Sequence, residues 1–498
     1  MKIFAALCLS LIAAPVFASG TLDPTFADNG VKVMRFDEVN AEVADIHDFA
    51  LDGLIDHQGR YVSVGYAIEA TAEYPFVGQI TRHLRSGERD LGLAGQGFLR
   101  FRYLPLWGTR FNAVAEYNGK IIVGGYTDIG DDMMNPYNSS LVCRFEQTGE
   151  TDPSFGGDSF SDHPGCRSYG ELFSWGESSV IDMQILGEGK ILLLIKTRAE
   201  GNSSYALVRL TADGALDQTF GDGNCPACGY VLSPASLGTL VHPVAFAAEE
   251  AHGIVVALDF SLAGNQDMAV VYHKIDGGME NGFSYDGKVS VGFDELFKDQ
   301  TGETGGTSDV PAGIGFLDDG SILIGGTLTP KGVAAENPER HSAIGVVKFR
   351  PDGELDESFG IEGRFFSRYD IITGSYASSL KIQSDGKIIL AGRCNVCANF
   401  NVEKFAVTRI LSDGSAIDKG WAIPSSFFDS TLISVDDADS YYTNGYDTVN
   451  GSSAIALEKG HVVVFGWSKK SNFASPSVIN PHIVRLELDD MFSDSFDF

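Results

Sequence analysis

The sequence predicts an all-β protein, a seven-bladed β-propeller of four-stranded antiparallel sheets, and two independent repeats predict it. The first repeat is a tight turn that opens an apolar run, with leading glycines at Gly59, Gly119, Gly189, Gly253, Gly320, Gly386 and Gly460, spaced about 67 residues apart. The second is an acid followed three positions later by a large apolar residue: Asp23/Phe26, Asp90/Leu93, Asp152/Phe155, Asp217/Phe220, Glu280/Phe283, Asp356/Phe359 and Asp418/Trp421. A period of this length is the mark of stacked supersecondary units, none of which buries its apolar face alone.

Each unit reads as four strands. Strand a is the short run after the acid-aromatic marker, as in Val31 to Phe36 and Gly97 to Tyr103. Strand b precedes the tight turn, and strand c is the β-branched run itself, such as Lys387-Ile388-Ile389-Leu390. Strand d closes the unit, as in Leu141 to Phe145, Ala206 to Leu210 and His482 to Leu486. Asp385-Gly386 and Glu188-Gly189 suit two-residue hairpins between b and c, where a positive φ is required. Seven such sheets, closed radially, hide the edges that one sheet would leave open. An outer-membrane barrel, suggested by the terminal Phe498, requires ~10-residue alternation that these short, continuously apolar strands lack.

Residues 1–18 carry Lys2, an apolar run through Ile12 and the small-residue ending at Ala18, which is the pattern of an export signal cleaved after Ala18. The expected organisation is therefore a signal peptide over 1–18, one propeller over 19–486 and an acidic tail over 487–498, in a monomer that is secreted or periplasmic. The 498 residues would ordinarily suggest about three domains, but the repeat makes one ring of them. With 36 Lys+Arg against 67 Asp+Glu, the net charge of −31 disfavours nucleic acid and anionic membrane surfaces, and no membrane span is expected. Six cysteines outside the signal, in an oxidising compartment, are disulfide candidates: Cys143, Cys166, Cys225, Cys228, Cys394 and Cys397. A zinc site shared by the two close pairs is disfavoured, because their loops lie on opposite faces of the ring.

The segments Leu22-Asp23-Pro24-Thr25-Phe26, Asp152 to Gly156, Ala215 to Gly223 and Leu355 to Gly360, each ahead of a glycine-led turn, resemble the delta-60 repeat of exported bacterial proteins. The resemblance covers nearly the whole chain beyond the signal and implies a propeller. It brings no general activity and no binding residues, since the motif marks a scaffold. The second copy departs from it at Leu93, the fifth at Glu280 and the seventh at Trp421.

A residue present in every copy is expected to hold the copies together. The marker acid can cap its own turn, and the large residue after it can plug the space between sheets. Strand d offers a cation in each copy, Arg82, Arg144, Arg209, Lys274, Lys348, Arg409 and Arg485, expected to form a surface pair with the marker acid. Arg485 has no marker acid after it, so ring closure would give it Asp23 from the other end of the chain.

Strand parity puts the b–c and d–a connections on one regular face and the a–b and c–d connections on a variable one. The variable face, with Trp175, Tyr442 and Trp467 as aromatic anchors, is the expected binding surface for a protein or glycan. Within it Asp436, Asp437 and Asp439 could supply oxygen ligands to Ca²⁺; otherwise no cofactor is expected. There is no nucleophile elbow, His-Glu-x-x-His or phosphate loop; His47 and His242 lie near the a–b connections, within reach of the ring centre, and structural roles are expected for them. The expected function is a non-enzymatic binding scaffold; the alternative is a calcium-dependent propeller enzyme, a hydrolase or lactonase, with convergent ligands in the central channel.

Overall fold

The computed structural model describes residues 20–34, 47–69, 76–105, 107–129, 137–156, 164–173, 176–199, 202–223, 225–234, 237, 241–262, 265–301, 306–331, 342–367, 374–394, 404–421, 431–433, 448–472 and 475–488. The chain opens with β1 (Val31–Val33). Blade 1 follows with β2 (His47–Ile55), β3 (Tyr61–Ile68), β4 (Phe76–His83) and β5 (Phe98–Phe101). Blade 2 is β6 (Thr109–Tyr117), β7 (Lys120–Ile129), β8 (Tyr137–Phe145) and β9 (Cys166–Ser168). Blade 3 is β10 (Glu177–Ile185), β11 (Ile191–Ala199), β12 (Asn202–Leu210) and β13 (Tyr230–Leu232). Blade 4 is β14 (Val241–Glu249), β15 (Gly253–Leu262), β16 (Asn265–His273) and β17 (Lys288–Val291), and a helix α1 (Asp294–Thr301) leads to blade 5. Blade 5 is β18 (Thr307–Phe316), β19 (Ile322–Pro330), β20 (Ala343–Phe349) and β21 (Arg364–Ser367). Blade 6 is β22 (Ser375–Ile382), β23 (Ile388–Cys394), β24 (Lys404–Ile410) and β25 (Thr431–Ile433). Blade 7 takes β26 (Thr448–Glu458), β27 (His461–Asn472) and β28 (Ser475–Glu487) and completes itself with β1.

The seven-fold count stands, but the phase of the repeat differs from the sequence reading. Strand a of each unit pairs with strand d of the unit before it: β5, which follows the second marker, runs antiparallel to β4. The marker turn therefore closes a blade instead of opening one. The first marker strand is thus left to close the ring, and Val31, Lys32 and Val33 pair with Val484, Ile483 and His482. The hairpins differ too. At Asp385-Gly386 the loop has three residues, closed by Gln383 N–H to the Lys387 carbonyl, with Gly386 at φ 79°. That is the turn-plus-bulge form, in which the third residue must be left-handed.

Seven apolar clusters fill the ring, one at each interface between neighbouring blades. A polar staple lies above the clusters at the ends of blades 2, 3 and 7. In blade 3, Asp217 Oδ1 accepts the Thr219 N–H at 3.0 Å and Oδ2 accepts Arg209 Nε at 2.7 Å. The Arg209 guanidinium lies 4.7 Å from the Phe220 ring centroid, and its Nη1 donates to the Ile275 carbonyl of blade 4 at 2.6 Å. The same arrangement joins Arg144, Asp152 and Phe155 to Ala212 of blade 3, and Arg485, Asp23 and Phe26 to Arg85 of blade 1. Beside it, the N–H after the marker aromatic crosses to the next blade: Ala27 to Ser86 at 3.1 Å, Ala94 to Thr148 at 2.8 Å, Gly156 to Asp213 at 2.8 Å and Gly360 to Asp413 at 2.8 Å.

These pairs are buried, against the expectation of surface pairs: Arg485 is 5% exposed and Asp23 is 0%. Burial pushes the Asp23, Asp152 and Asp217 carboxyls up. Hydrogen bonds from the residue two positions on, together with the flanking cations, more than offset this and hold all three below the ordinary range. The fifth copy is a second correction. Glu280 N–H bonds the carbonyl of Tyr272, the rung held elsewhere by a cation such as Arg209 or Lys348, so Lys274 lies two residues past the staple position. Tyr272 instead donates its hydroxyl to the His252 carbonyl at 2.7 Å.

Removing one partner of a buried pair leaves the other charged and uncompensated, at a cost of about 3–5 kcal/mol. Arg485→Ala should lower unfolding stability by that order in a urea titration, and Lys274→Ala by less than about 0.5 kcal/mol. Equal losses in the two variants would refute the assignment of the staple.

Candidate functional site: the central channel and its mouth

The innermost strands β2, β6, β10, β14, β18, β22 and β26 surround the axis, and every one of them has a β-bulge at the same level. In β2 the register skips from Ala50 to Asp52. The bulge turns a carbonyl over the second strand, where a Cβ on Gly65 would collide with the Phe49 oxygen and one on Gly392 with that of Tyr376. It also frees side chains to tie blade to blade around the axis. Asn112 donates to the Val180 carbonyl at 2.8 Å, Ser378 to that of Ser452 at 2.7 Å, and Ser453 to that of Ala50 at 2.6 Å.

Two blades use an acid for this purpose. Asp52 Oδ2 accepts the Val114 N–H of blade 2 at 2.8 Å, and Asp182 Oδ2 accepts the Phe246 N–H of blade 4 at 3.2 Å. Burial pushes Asp52 up to about 6 and Asp182 up to about 7; the Asp52 charge adds to the rise at Asp182, and Lys381 of blade 6 opposes both. Blades 1, 3 and 6 thus bring two carboxyls and an ammonium into one electrostatic neighbourhood at the centre of the ring.

One rung from the bulge, toward the variable face, the first two strands of each blade pair unlike residues. The rungs are Phe49/Tyr66, Arg110/Tyr126, Ser179/Lys196, His242/Asp259, Val310/Thr327, Tyr376/Arg393 and Gly451/Trp467. Blades 7, 1 and 2 make a continuous strip of them. The Trp467 and Phe49 ring centroids are 5.4 Å apart, Phe49 stacks on Tyr66 at 4.6 Å, and the Arg110 guanidinium lies 4.3 Å from the Tyr66 centroid and 3.5 Å from that of Phe76. All of these side chains are half-buried. Burial pushes Tyr126 up to about 12, against the opposing Arg110 charge. Across the ring the mouth is polar: Gln266 Nε2 donates to Asp259 at 3.2 Å, and Ser203 Oγ lies 3.2 Å from His242 Nδ1.

Of the residues singled out from sequence, Trp467 and His242 fall on this rim, and His47 begins β2 with its Nδ1 buried and unbonded. Asp436, Asp437, Asp439, Trp175 and Tyr442 lie outside the described residues. Cys143 and Cys166 face each other on paired strands and are bonded, as are Cys225 and Cys228; Cys394 is also in a disulfide, and Cys397 is outside the described residues. Asp23 and Arg485 meet through Arg485 Nε at 2.6 Å from Asp23 Oδ2. Among the described residues, one set of three acid, histidine or cysteine side chains has donor atoms close enough to share an ion, namely Asp23, His461 and Glu487. It sits at the ring seam, where the Arg485 guanidinium already occupies Asp23. The Phe49, Tyr66, Arg110 and Tyr126 strip was not anticipated. Its signal was the residue that follows the run-ending glycine in Gly65-Tyr66, Gly125-Tyr126, Gly392-Arg393 and Gly466-Trp467.

The repeated geometry has a counterpart among known families. Residues 118–155, 189–220 and 383–416 match the model of a beta-propeller family described as a domain of unknown function (DUF5122). Each matched segment starts at or beside a b–c turn and includes the strand-d arginine, and the first two run on to end on the marker aromatic. No curated protein matches the chain. Among solved structures, the polysaccharide lyase Uly1 aligns with a TM-score of 0.51 at 10% identity, over 88% of this chain and 90% of that one. A mutant Trypanosoma rangeli sialidase displaying trans-sialidase activity aligns at 0.38 and 10% identity, over 74% of this chain and 55% of that one. At 10% identity the likeness to Uly1 is one of fold.

Asp309 of β18 gives the core a distinctive pH response. Its Oδ2 accepts the Phe293 N–H at 2.9 Å, Oδ1 is buried without a partner, and burial pushes the carboxyl up to about 7, with Asp267 and Asp294 adding to the rise. The unfolded chain ionises this group near pH 3.9, so its contribution to stability is lost as pH rises from about 4 to 7. Buried His83, His273 and His482, pushed down by burial to about 3, 4 and 3, act in the opposite sense and lose their contribution as pH falls below about 6.5. Asp309→Asn removes one of the opposing terms. Its stability relative to the parent should therefore rise with pH by up to about 1.4 kcal/mol per unit between pH 4 and 7, and parallel pH–stability curves would rule out the raised carboxyl.

Proposed function

We propose that the chain is an exported, non-enzymatic binding propeller whose ligand, a saccharide, lies across the channel mouth on the variable face. The observation that carries this reading is the half-buried strip Trp467, Phe49, Tyr66, Arg110 and Tyr126. Aromatic rings with polar tips suit a ligand that is apolar on one face and hydroxylated at its edges, because each ring buries a C–H face while its hydroxyl or a neighbouring group reaches a ligand oxygen. The polar rungs of blades 3 and 4, Lys196 with His242 and Asp259, offer further donors and acceptors on the far side of the mouth. The channel carboxyls support binding over catalysis, since Asp52 and Asp182 are engaged to backbone amides of neighbouring blades.

Isothermal titration of the exported chain against a panel of neutral and acidic oligosaccharides tests the reading. Tyr66→Ala and Trp467→Ala should each weaken the retained ligand by about tenfold or more, in line with the loss of a stacking anchor, while leaving the melting temperature within a few degrees. A panel with no binder, or variants that bind as the parent does, would overturn it.

A further inference from the structure

Arg110 stands apart from the arginines of the staples. Those are held by a carboxylate, a ring and a carbonyl, as Arg209 is by Asp217, Phe220 and Ile275. Arg110 is held by rings alone: its guanidinium carbon lies 3.5 Å from the Phe76 centroid, 4.3 Å from that of Tyr66 and 5.6 Å from that of Tyr126. Its Nε is buried without a hydrogen-bond partner, and among the described residues Arg110 forms no ion pair. The acid that feels its charge, Asp128, is pushed upward by burial, with Arg110 opposing the rise. Three rings fix the plane of the guanidinium and leave its donors unspent, which is the pre-organisation that a planar, two-oxygen acceptor requires. The position is also right, since Arg110 is the inner member of its rung and adjoins the Phe49/Tyr66 stack.

We propose that Arg110 is an anion receptor, and that the saccharide at the channel mouth is acidic, presenting a carboxylate or a sulfate ester to this guanidinium while its ring packs on the Tyr66 and Phe49 side. This rests on the saccharide reading and narrows it to a charged class. The overall charge of −31 does not forbid it, because at physiological salt a charge is screened beyond about 8 Å, and the guanidinium in contact governs the encounter.

Binding to an oligogalacturonate, to its carboxyl-reduced neutral counterpart and to a sulfated galactan of similar length, each measured by titration, tests the proposal and separates carboxylate from sulfate. The parent should prefer at least one acidic probe over the neutral one by about tenfold or more. Arg110→Gln should abolish that preference by weakening the acidic probes by about tenfold more than the neutral one, and Arg110→Lys should restore only part of it, because an ammonium keeps the charge and loses the planar fork. Melting temperatures of both variants within a few degrees of the parent exclude a purely structural role for the residue. If the parent binds the neutral probe as well as the acidic ones, or Arg110→Gln keeps the preference, the anion receptor is wrong and the saccharide reading survives. If the parent binds none of the three and Tyr66→Ala changes nothing across the wider panel, the saccharide reading fails and takes the receptor with it.

Discussion

The ring's closure depends on the buried contact, made in blades 2, 3 and 7, in which one arginine binds its own blade's marker carboxylate, lies on that marker's aromatic ring and reaches a carbonyl of the next blade. Each component alone would be weak. A lone ion pair in this position would suffer desolvation that its Coulomb attraction scarcely repays. The staple avoids this by satisfying the charge on every side: Asp217 takes hydrogen bonds from Thr219 and Arg209 and a longer ion pair from Lys190 at 3.4 Å, and Arg209 spends its remaining donors on Thr219 Oγ1 and Ile275. A fully satisfied polar unit specifies geometry, and here it fixes the angle at which one sheet follows another. Blade 2 repeats it with Lys120, Arg144 and Asp152, and blade 7 with His461 in the place of the lysine.

The seam explains why the marker precedes the first complete blade. If the phase were as the units read in sequence, the ring would join only by packing of the last sheet on the first. Because the marker strand belongs to the preceding blade, the N-terminal segment is obliged to hydrogen-bond to β28, and Asp23 N–H and Met34 N–H bond the Arg485 and Pro481 carbonyls in the same way. Phe26, Met34, Phe465 and Ile483 then build a core across the joint with Tyr61 of blade 1. The closure is thus a covalent chain of seven sheets with its last hydrogen-bonded ladder made between its two ends, and it hides the edge strands that an open array would present.

What could be read from sequence followed from repetition. The count of seven, the acid-aromatic marker and the Asp23–Arg485 contact all rest on residues that recur, and recurrence betrays a shared structural duty. The errors arose where one copy departs from the rest or where pairing partners had to be assigned. Lys274 was two residues from the true rung because only the Glu280 to Tyr272 backbone bond fixes the register there. The phase of the blades was hidden because a short strand such as Phe98–Phe101 reads the same whether it opens a sheet or closes one. The rim was hidden for the opposite reason: Phe49, Arg110, His242 and Tyr376 have no resemblance to one another, and only the shared bulge brings them to one level.

That contrast accounts for how a scaffold of like units can carry an unlike site. The bulge sits at the same level in every inner strand, so the rung beyond it is a fixed address repeated seven times around the axis. Near the bulge the chemistry is restricted, since Gly65 and Gly392 have no room for a side chain against the carbonyls of Phe49 and Tyr376. One rung further the same bulge sets the side chains at the mouth of the channel, where neither the staple nor the apolar core dictates their identity. Stability is held by the regular face and by the blade interfaces, and the seven rim positions are released from that duty. An aromatic arc on blades 7, 1 and 2 can then face a polar arc on blades 3 and 4 without any change to the parts that close the ring. The variable face is specific because the positions presenting it are constant.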